Sequence, residues 1–424
     1  MQRGIFIGVT LALFLLVDFY LFSAVRQLVR SWSPGTQRIT TYIYWSIPVI
    51  SLLLFFITFF WFNDKLSFKL RTFLASFILI IYISKLFSAV ILILSDVLRA
   101  GEWSWKKLSS IFSSKTEGNI SQNSSEEIGS KITRSDFLAK TALAIGATHV
   151  GAMTWGIVSG AYDYRIRRVP LKLANLPKAF HGMKLVQISD IHSGSFFNKT
   201  AVQGGVDMLL KEKPDMVFFT GDLVNNKAEE LSDYFDVFKK VKAPLGVFST
   251  LGNHDYGDYV QWDNPEAKAQ NLQTLMKGHE LLGWDLLMDS SREIKVDNES
   301  ISVLGIQNWG KGFSQHGDLK KALSSVKETP VKLLLSHDPS HWREQVLDKT
   351  DIDVSFAGHT HGMQYGVEIG KLKWSPVQWR YKEWAGLYQE NEQQLYVNRG
   401  YGFLGYPGRL GILPEITVFE LQKA

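Results

Sequence analysis

VSFAGHTH, residues 354–361, runs apolar for four residues, breaks on a glycine, and then sets two histidines either side of a threonine. The first half reads as a short β-strand buried on both faces. The second half is a strand end loaded with imidazole. The chain has only ten histidines, so two of them at one strand end raise the question of what they serve.

The same layout returns upstream. MKLVQISDIH (183–192), DMVFFTGDL (215–223), GVFSTLGNHD (246–255) and VKLLLSHD (331–338) each run apolar and then end in Asp, His or Asn. A helical stretch from about 199 to 212 separates the first two, and ISVLGIQ (301–307) adds another strand. Buried strands alternating with helical stretches predict an α/β fold, a mixed sandwich of two sheets flanked by helices. The strands from about 284 to 308 and from 394 to 420 read as hairpins. In such folds ligand sites assemble at the carboxyl ends of strands. Five endings, all built from oxygen and imidazole donors, exceed what turn chemistry asks for.

Asp190 and His192 stand at i and i+2, so on an extended chain they point to one face and can grip one ion. Asp222, Asn253, His337, His359 and His361 complete a set of two carboxylates, one amide and four imidazoles, with no thiolate because the chain has no cysteine. That mixture suits Mn, Fe or Zn. Seven donors exceed one ion that must also hold substrate. Two ions sharing a carboxylate fit better, an arrangement that clamps both the attacking and the leaving oxygen of a displacement at phosphorus. His341 is a rival to His337, while His149, His181, His279 and His316 have no such surroundings.

In this order, D-x-H, G-D, G-N-H-D, H and G-H-x-H resemble the calcineurin-like metallophosphoesterases, over roughly 180 to 424. The tail YVNRGYGFLGYPGRLGILPEITVFEL (396–421) is similar to the bacterial membrane-linked branch. The resemblance implies an αββα sandwich around a dinuclear centre. Asp190, His192 and His361 would hold one metal, Asn253, His337 and His359 the other, and Asp222 would bridge them. His254 would face the substrate, with Asp255 orienting its imidazole, and the attacking group would be a hydroxide held on the metals. Where the family often has G-D-x-x-D, this chain has Asn225, which puts only the surroundings of the ligands in doubt. Around the mouth, Asn398, Arg399 and Arg409 are candidate phosphate contacts. KLKWSPVQWRYKEW (371–384) mixes tryptophan with lysine and arginine, which suits a membrane interface or anionic headgroup as well as an ordinary packed loop.

The first hundred residues differ in kind. IFIGVTLALFLLVDFYLFSAV (5–25), TYIYWSIPVISLLLFFITFFWF (41–62) and TFLASFILIIYISKLFSAVILILSDVL (72–98) each reach the roughly 20 apolar residues that cross a bilayer. The expected layout is three transmembrane helices in 1–100, a polar flexible loop in 101–140, a fourth transmembrane helix in 141–161, and the metallophosphoesterase domain in 170–424. Asp18 and Lys85 lie inside the spans, where charge is costly. With four spans, the loops at 26–40 and 99–140 carry ten lysines and arginines against seven on the other side. That bias puts those loops in the cytoplasm and the catalytic domain outside. A net charge of +5 without a long basic run gives no case for nucleic acid.

The expectation is thus a membrane-anchored, metal-dependent phosphohydrolase acting on a phosphomonoester or phosphodiester at or near the lipid surface. Its alternatives are a pyrophosphatase of nucleotide-linked lipids, of the UDP-diacylglucosamine type, and a membrane sensor that keeps the fold without catalysis.

Overall fold

The computed structural model describes residues 2–58, 66–112 and 133–424. The chain divides into two compact units, Met1–Thr154 and Trp155–Ala424.

The first unit is helical: α1 (Gln2–Leu28), α2 (Pro34–Phe56), α3 (Phe68–Phe112) and α4 (Arg134–Val158). Ser33 caps α2 by accepting from the Thr36 N–H at 3.3 Å, and Pro34 stands at the first turn, where its missing donor costs nothing. Leu16, Phe19, Ile43 and Val97 are all more than half exposed. Helices that turn such side chains outward are built for lipid. Among the described residues, four stretches are long and apolar enough to span a membrane: Ile7–Leu28, Pro34–Phe56, Lys69–Ser110 and Arg134–Tyr162.

One boundary needs correcting. The sequence predicts a polar flexible loop over 101–140, but α3 runs on to Phe112 and α4 begins at Arg134. GEWSWKKLSSIF contains no proline and several good helix formers, so low apolarity there does not stop the helix. At 45 residues α3 is about 68 Å long, twice the hydrocarbon thickness. Residues 113–132, the rest of that loop, lie outside the described residues.

The second unit holds the strands β1 (Arg165–Leu173), β2 (Lys184–Ile188), β3 (Met216–Thr220), β4 (Val247–Thr250), β5 (Asp285–Leu286), β6 (Ser290–Val296), β7 (Glu299–Gly305), β8 (Lys332–Leu335), β9 (Val354–Ala357), β10 (Val367–Ile369), β11 (Leu372–Trp374), β12 (Gly386–Glu390), β13 (Gln393–Val397) and β14 (Glu415–Lys423). Its helices are α5 (Lys199–Lys211), α6 (Phe235–Phe238), α7 (Pro265–Leu282) and α8 (Leu319–Ser324). One six-stranded sheet runs β1-β14-β2-β3-β4-β5, and a second runs β12-β13-β9-β8-β7-β6.

Period-2 alternation explains the layers. Leu185 and Phe218 point between the sheets and meet Val303, Leu335 and Phe356 of the second sheet. Their neighbours Val186, Val217 and Phe219 point the other way, onto Val206 of α5, Phe238 of α6 and Leu275 of α7. Across the second sheet, Leu304, Leu334 and Val397 meet Leu319 and Ala322 of α8 together with Trp342. The order is helices, sheet, sheet, helix, the αββα sandwich.

The hairpin at 284–308 is present as antiparallel β6 and β7. The hairpin expected over 394–420 is not. β13 pairs with β12 and β9 in the second sheet, whereas β14 crosses to the first, between β1 and β2. Both strands bury apolar side chains among polar ones, and that pattern alone does not say which sheet a strand joins.

Candidate metal centre

β2, β3 and β4 of the first sheet and β8 and β9 of the second all deliver their carboxyl ends to one place. Asp190, His192 and His361 form one group whose donor atoms lie within 4.8 Å of one another; Asp222, His337 and His359 form another. Asp222 Oδ2 lies 3.1 Å from His337 Nε2 and 3.5 Å from His192 Nε2, so one carboxylate oxygen faces both groups. Asn253 Oδ1 is 2.9 Å from His359 Nδ1. The structure thus brings all seven expected ligands together.

The local backbone is what makes this convergence possible. Asp190, His192, Asp222, His359 and His361 have φ of 50°, 49°, 60°, 68° and 51°. Left-handed geometry at a non-glycine residue costs roughly 1–3 kcal/mol and persists where the surroundings over-determine it. Each of these strand ends therefore curls its side chains back over the sheet edges. Close approach supplies the rest. A Cβ on Gly252 would stand 2.2 Å from Asp222 Oδ1, and one on Gly358 would stand 2.2 Å from Asp190 Oδ2.

The donor chemistry fits divalent ions. His192 and His361 bring their Nε2 atoms to 3.0 Å of each other, and Asp190 Oδ1 sits 3.3 Å from the same His361 nitrogen. Burial opposes charge on both carboxylates, but the imidazoles around them outweigh it. His361 holds Asp190, and His337 holds Asp222, well below the usual carboxylate range. Burial keeps His192 and His359 below the ordinary imidazole range, hence neutral. Charged carboxylates and neutral imidazoles are what a cation binds. His337 is the exception. Burial works against its proton, yet the adjacent Asp222 raises its pKa to about 10.

Several contacts hold this set in place. Asn253 Nδ2 donates to the Tyr259 hydroxyl at 2.7 Å, which fixes the amide so that its oxygen faces His359. His359 Nε2 lies 2.8 Å from the Tyr381 hydroxyl, which donates in turn to Asp338 at 3.3 Å. His337 Nδ1 is tied to the Thr220 carbonyl at 2.7 Å. Partners of this kind fix tautomer and ring orientation. Tyr259 and Tyr381 carry no motif of their own. The only sequence signal for Tyr381 is its place in the aromatic stretch after the last ligand. His341 is not a rival: its Nδ1 is 3.0 Å from Ser336 Oγ, and it belongs to neither group.

His254 is the half-buried imidazole beside the two groups, its ring 5.0 Å from that of His192. Its Nδ1 lies 2.8 Å from the Asn225 carbonyl, which makes Nδ1 the donor and leaves Nε2 to the site. The expected helper, Asp255, does something else. It accepts from the N–H groups of Asp222, Leu223, Val224 and Gly252 at 2.8–3.2 Å. Adjacent residues on the 3-10 turn His254–Tyr256 point apart, so Asp255 fastens the ends of β3 and β4 while a carbonyl orients His254.

The three expected phosphate contacts are also corrected. Asn398 is fully buried, donating to Thr417 and accepting from the Gly400 N–H. Arg399 is held by Glu415 at 2.5 Å and Glu368 at 2.9 Å. Arg409 donates to the carbonyls of Arg399, Gly400, Gly402 and Ile412 and comes within 3.3 Å of His361 Nδ1. The segment passes behind Asp190, since the Tyr401 and Gly402 N–H groups bond to the carbonyls of Ser189 and Asp190. These side chains therefore face protein, and they brace the ligand loops from behind.

Comparison with known proteins agrees with this geometry. Residues 2–161 match the family described as probable calcineurin-like phosphoesterase, transmembrane domain, and residues 183–363 match calcineurin-like phosphoesterase. The uncharacterized metallophosphoesterase YkuE of Bacillus subtilis (strain 168) is 30% identical, over 69% of this chain and 99% of that protein. A transmembrane protein with metallophosphoesterase domain from Danio rerio is 28% identical, over 67% of this chain and 63% of its own. The UDP-2,3-diacylglucosamine pyrophosphatase LpxG of Chlamydia trachomatis is 29% identical, over 59% of this chain and 88% of its own.

Proposed function

The chain belongs to the calcineurin-like metallophosphoesterases, and from that premise we propose that it is a membrane-anchored hydrolase of a lipid-linked or membrane-proximal phosphoester. The observation that carries the reading is the pair of His/Asp groups facing one shared oxygen of Asp222, in a chain whose described residues also include four helices fit to span a membrane.

In this reading Asp190, His192 and His361 would hold one divalent ion, Asn253, His337 and His359 would hold the second, and Asp222 would serve both. When bound, such ions lower the pKa of water and neutralise charge on a phosphoryl group. The remaining work falls to the chain. His254, with Nδ1 tied to the Asn225 carbonyl, offers Nε2 to protonate the leaving oxygen or to donate to a phosphoryl oxygen. Asp255 ties the end of β3 at Asp222 to the end of β4 at Gly252, next to Asn253. Tyr259 and Tyr381 hold Asn253 and His359 in their ligating orientations.

A second reading, a pyrophosphatase of nucleotide-linked lipids, is supported by the similarity to LpxG. The intact donor set speaks against a sensor without catalysis. We place the catalytic domain outside the cytoplasm, on the loop-charge bias; a C-terminal reporter active only in the cytoplasm would reverse that. The deciding assay takes the purified full chain with Mn²⁺ and offers it generic phosphodiesters and phosphomonoesters, a lipid phosphate and a nucleotide-linked lipid. Turnover of the lipid phosphate above the soluble esters supports the first reading. Preference for the nucleotide-linked lipid supports the second, and no turnover of any of them removes both.

A further inference from the structure

The small hairpin β10–β11 is built with its polarity reversed. Val367 pairs with Trp374, Glu368 with Lys373, and Ile369 with Leu372. Alternation therefore puts Val367, Ile369, Leu372 and Trp374 on one face and Glu368 and Lys373 on the other. In an ordinary hairpin the apolar face turns to the core and the charged face to water. Here the charged face turns inward. Glu368 accepts from Arg167 at 2.6 Å and from Arg399 at 2.9 Å, and Lys373 donates to the Ala385 carbonyl with its ammonium over the Trp384 ring. The apolar face turns outward: Ile369 is 74% exposed and Leu372 is 61% exposed.

The turn that follows extends the same surface. Trp379 is 76% exposed and its ring lies 6.1 Å from that of Trp374. Lys371, Arg380 and Lys382, all exposed, fringe it. Aliphatic residues at the tip, tryptophan beside them and cations at the rim are the order in which side chains meet a bilayer, from acyl chains through the interface to anionic headgroups. An apolar patch rimmed with charge marks a contact surface, and the four candidate spans among the described residues would hold this chain at a membrane. The hairpin is also continuous with the metal centre. It begins three residues after Gln364 of the last ligand turn, Ser375 Oγ donates to the Gly362 carbonyl at 2.8 Å, and Tyr381 reaches His359.

We propose that the outward face of β10–β11, with Trp379, docks onto an anionic lipid surface, so that the metal centre works at headgroup level. This deepens the reading of a lipid-linked substrate, but the docking itself is tested without one. The chain has no cysteine, so a single label reports one position. The full chain, loaded with Mn²⁺ and at one copy per nanodisc of phosphatidylcholine and phosphatidylglycerol, carries an environment-sensitive fluorophore on Ile369→Cys or, as control, on Leu281→Cys, exposed on α7. Quenching by lipids spin-labelled in the acyl chain should be at least twofold stronger at 369 than at 281. Equal quenching overturns the docking. A spectral shift that appears only with two copies per disc overturns it too, in favour of a second copy of the chain as the partner. In the second arm, Ile369→Glu with Leu372→Glu should leave hydrolysis of a soluble nitrophenyl phosphodiester within twofold and lower hydrolysis of a bilayer-embedded lipid phosphate at least fivefold. Equal loss on both substrates, or on neither, overturns the hairpin's role. Strong quenching at 369 with no wild-type lipid hydrolysis sustains the docking and removes the lipid-linked substrate.

Discussion

Two buried polar clusters in this chain make opposite use of the same chemistry. In the membrane helices, Asp18 is fully buried and completely answered. Lys85 donates to its Oδ1 at 2.5 Å, Tyr82 to its Oδ2 at 3.0 Å, and Tyr44 to its backbone carbonyl at 2.6 Å. The ammonium also lies over the Tyr44 and Tyr82 rings. Charge cancels inside the cluster and helices α1, α2 and α3 are tied by it. In the catalytic unit, two carboxylates and four imidazoles aim their donor atoms at one another, all but His337 from left-handed backbone. There a cation is what cancels the charge. A closed polar cluster holds helices together, and an open one waits for a ligand.

The sharpest way to break that contrast is to remove what the open cluster needs. Chelation of the full chain should abolish turnover and lower the melting temperature of the catalytic unit, with both restored by Mn²⁺. Unchanged melting would mean that the ligands are content without ions. Asp222→Asn should prevent both ions from binding together, read as metal content per chain. His254→Ala should keep the metal and still lose about 10²- to 10⁴-fold in kcat, the usual weight of one proton-transferring group.

For the closed cluster the expectation is inverted. Asp18→Ala leaves a lysine unpaired and should destabilise the helical unit by about 3–5 kcal/mol, while the paired change Asp18→Leu with Lys85→Met should come close to neutral. A paired variant that folds normally but loses tenfold in turnover would make the cluster functional after all. A smaller effect is expected at Arg409, which braces His361 from behind. Arg409→Lys should weaken metal affinity about 10- to 100-fold with the fold retained.

The smallest effect concerns an imbalance outside both clusters. His279 is buried with Nδ1 3.0 Å from Ser249 Oγ and no partner for Nε2, and burial pushes its pKa down to about 3. Between that value and the unfolded value near 6.5 the unfolded chain binds a proton that the folded chain refuses. Stability from this group is therefore complete above about pH 6.5 and declines as pH falls through that window. At pH 5.5, wild type should have lost about 1.4 kcal/mol that His279→Leu keeps. Parallel pH profiles for the two chains would sink the assignment.

These cases also show what could be read from the residues alone. The strand ends announced themselves because apolar runs that stop on Asp, His and Asn have no simpler cause, and the seven residues they single out are the ones the fold brings together. Asp255, Asn398, Arg399 and Arg409 were misread for one physical reason. Asn398, Arg399 and Arg409 are types that suit phosphate and Asp255 a type that suits an imidazole, but direction depends on backbone that leaves the extended path, and a residue one step along a 3-10 turn or behind a strand faces elsewhere. Tyr259 has no sequence signal, and Tyr381 shows only as one aromatic of the 371–384 stretch, because both act on other side chains and such contacts leave no spacing in the sequence. The crossing of β14 into the first sheet was hidden likewise, since an apolar strand satisfies either sheet equally.

The two triads have one further property. The first takes Asp190 and His192 from beyond β2 and His361 from beyond β9; the second takes Asp222 from beyond β3 and His337 and His359 from beyond β8 and β9. Neither is completed by one sheet alone. An ion held by either triad would therefore also clasp the two halves of the sandwich, and the free energy that draws it in would be the free energy that resists their parting. A loosened sheet interface far from the site would be felt as a leak of metal.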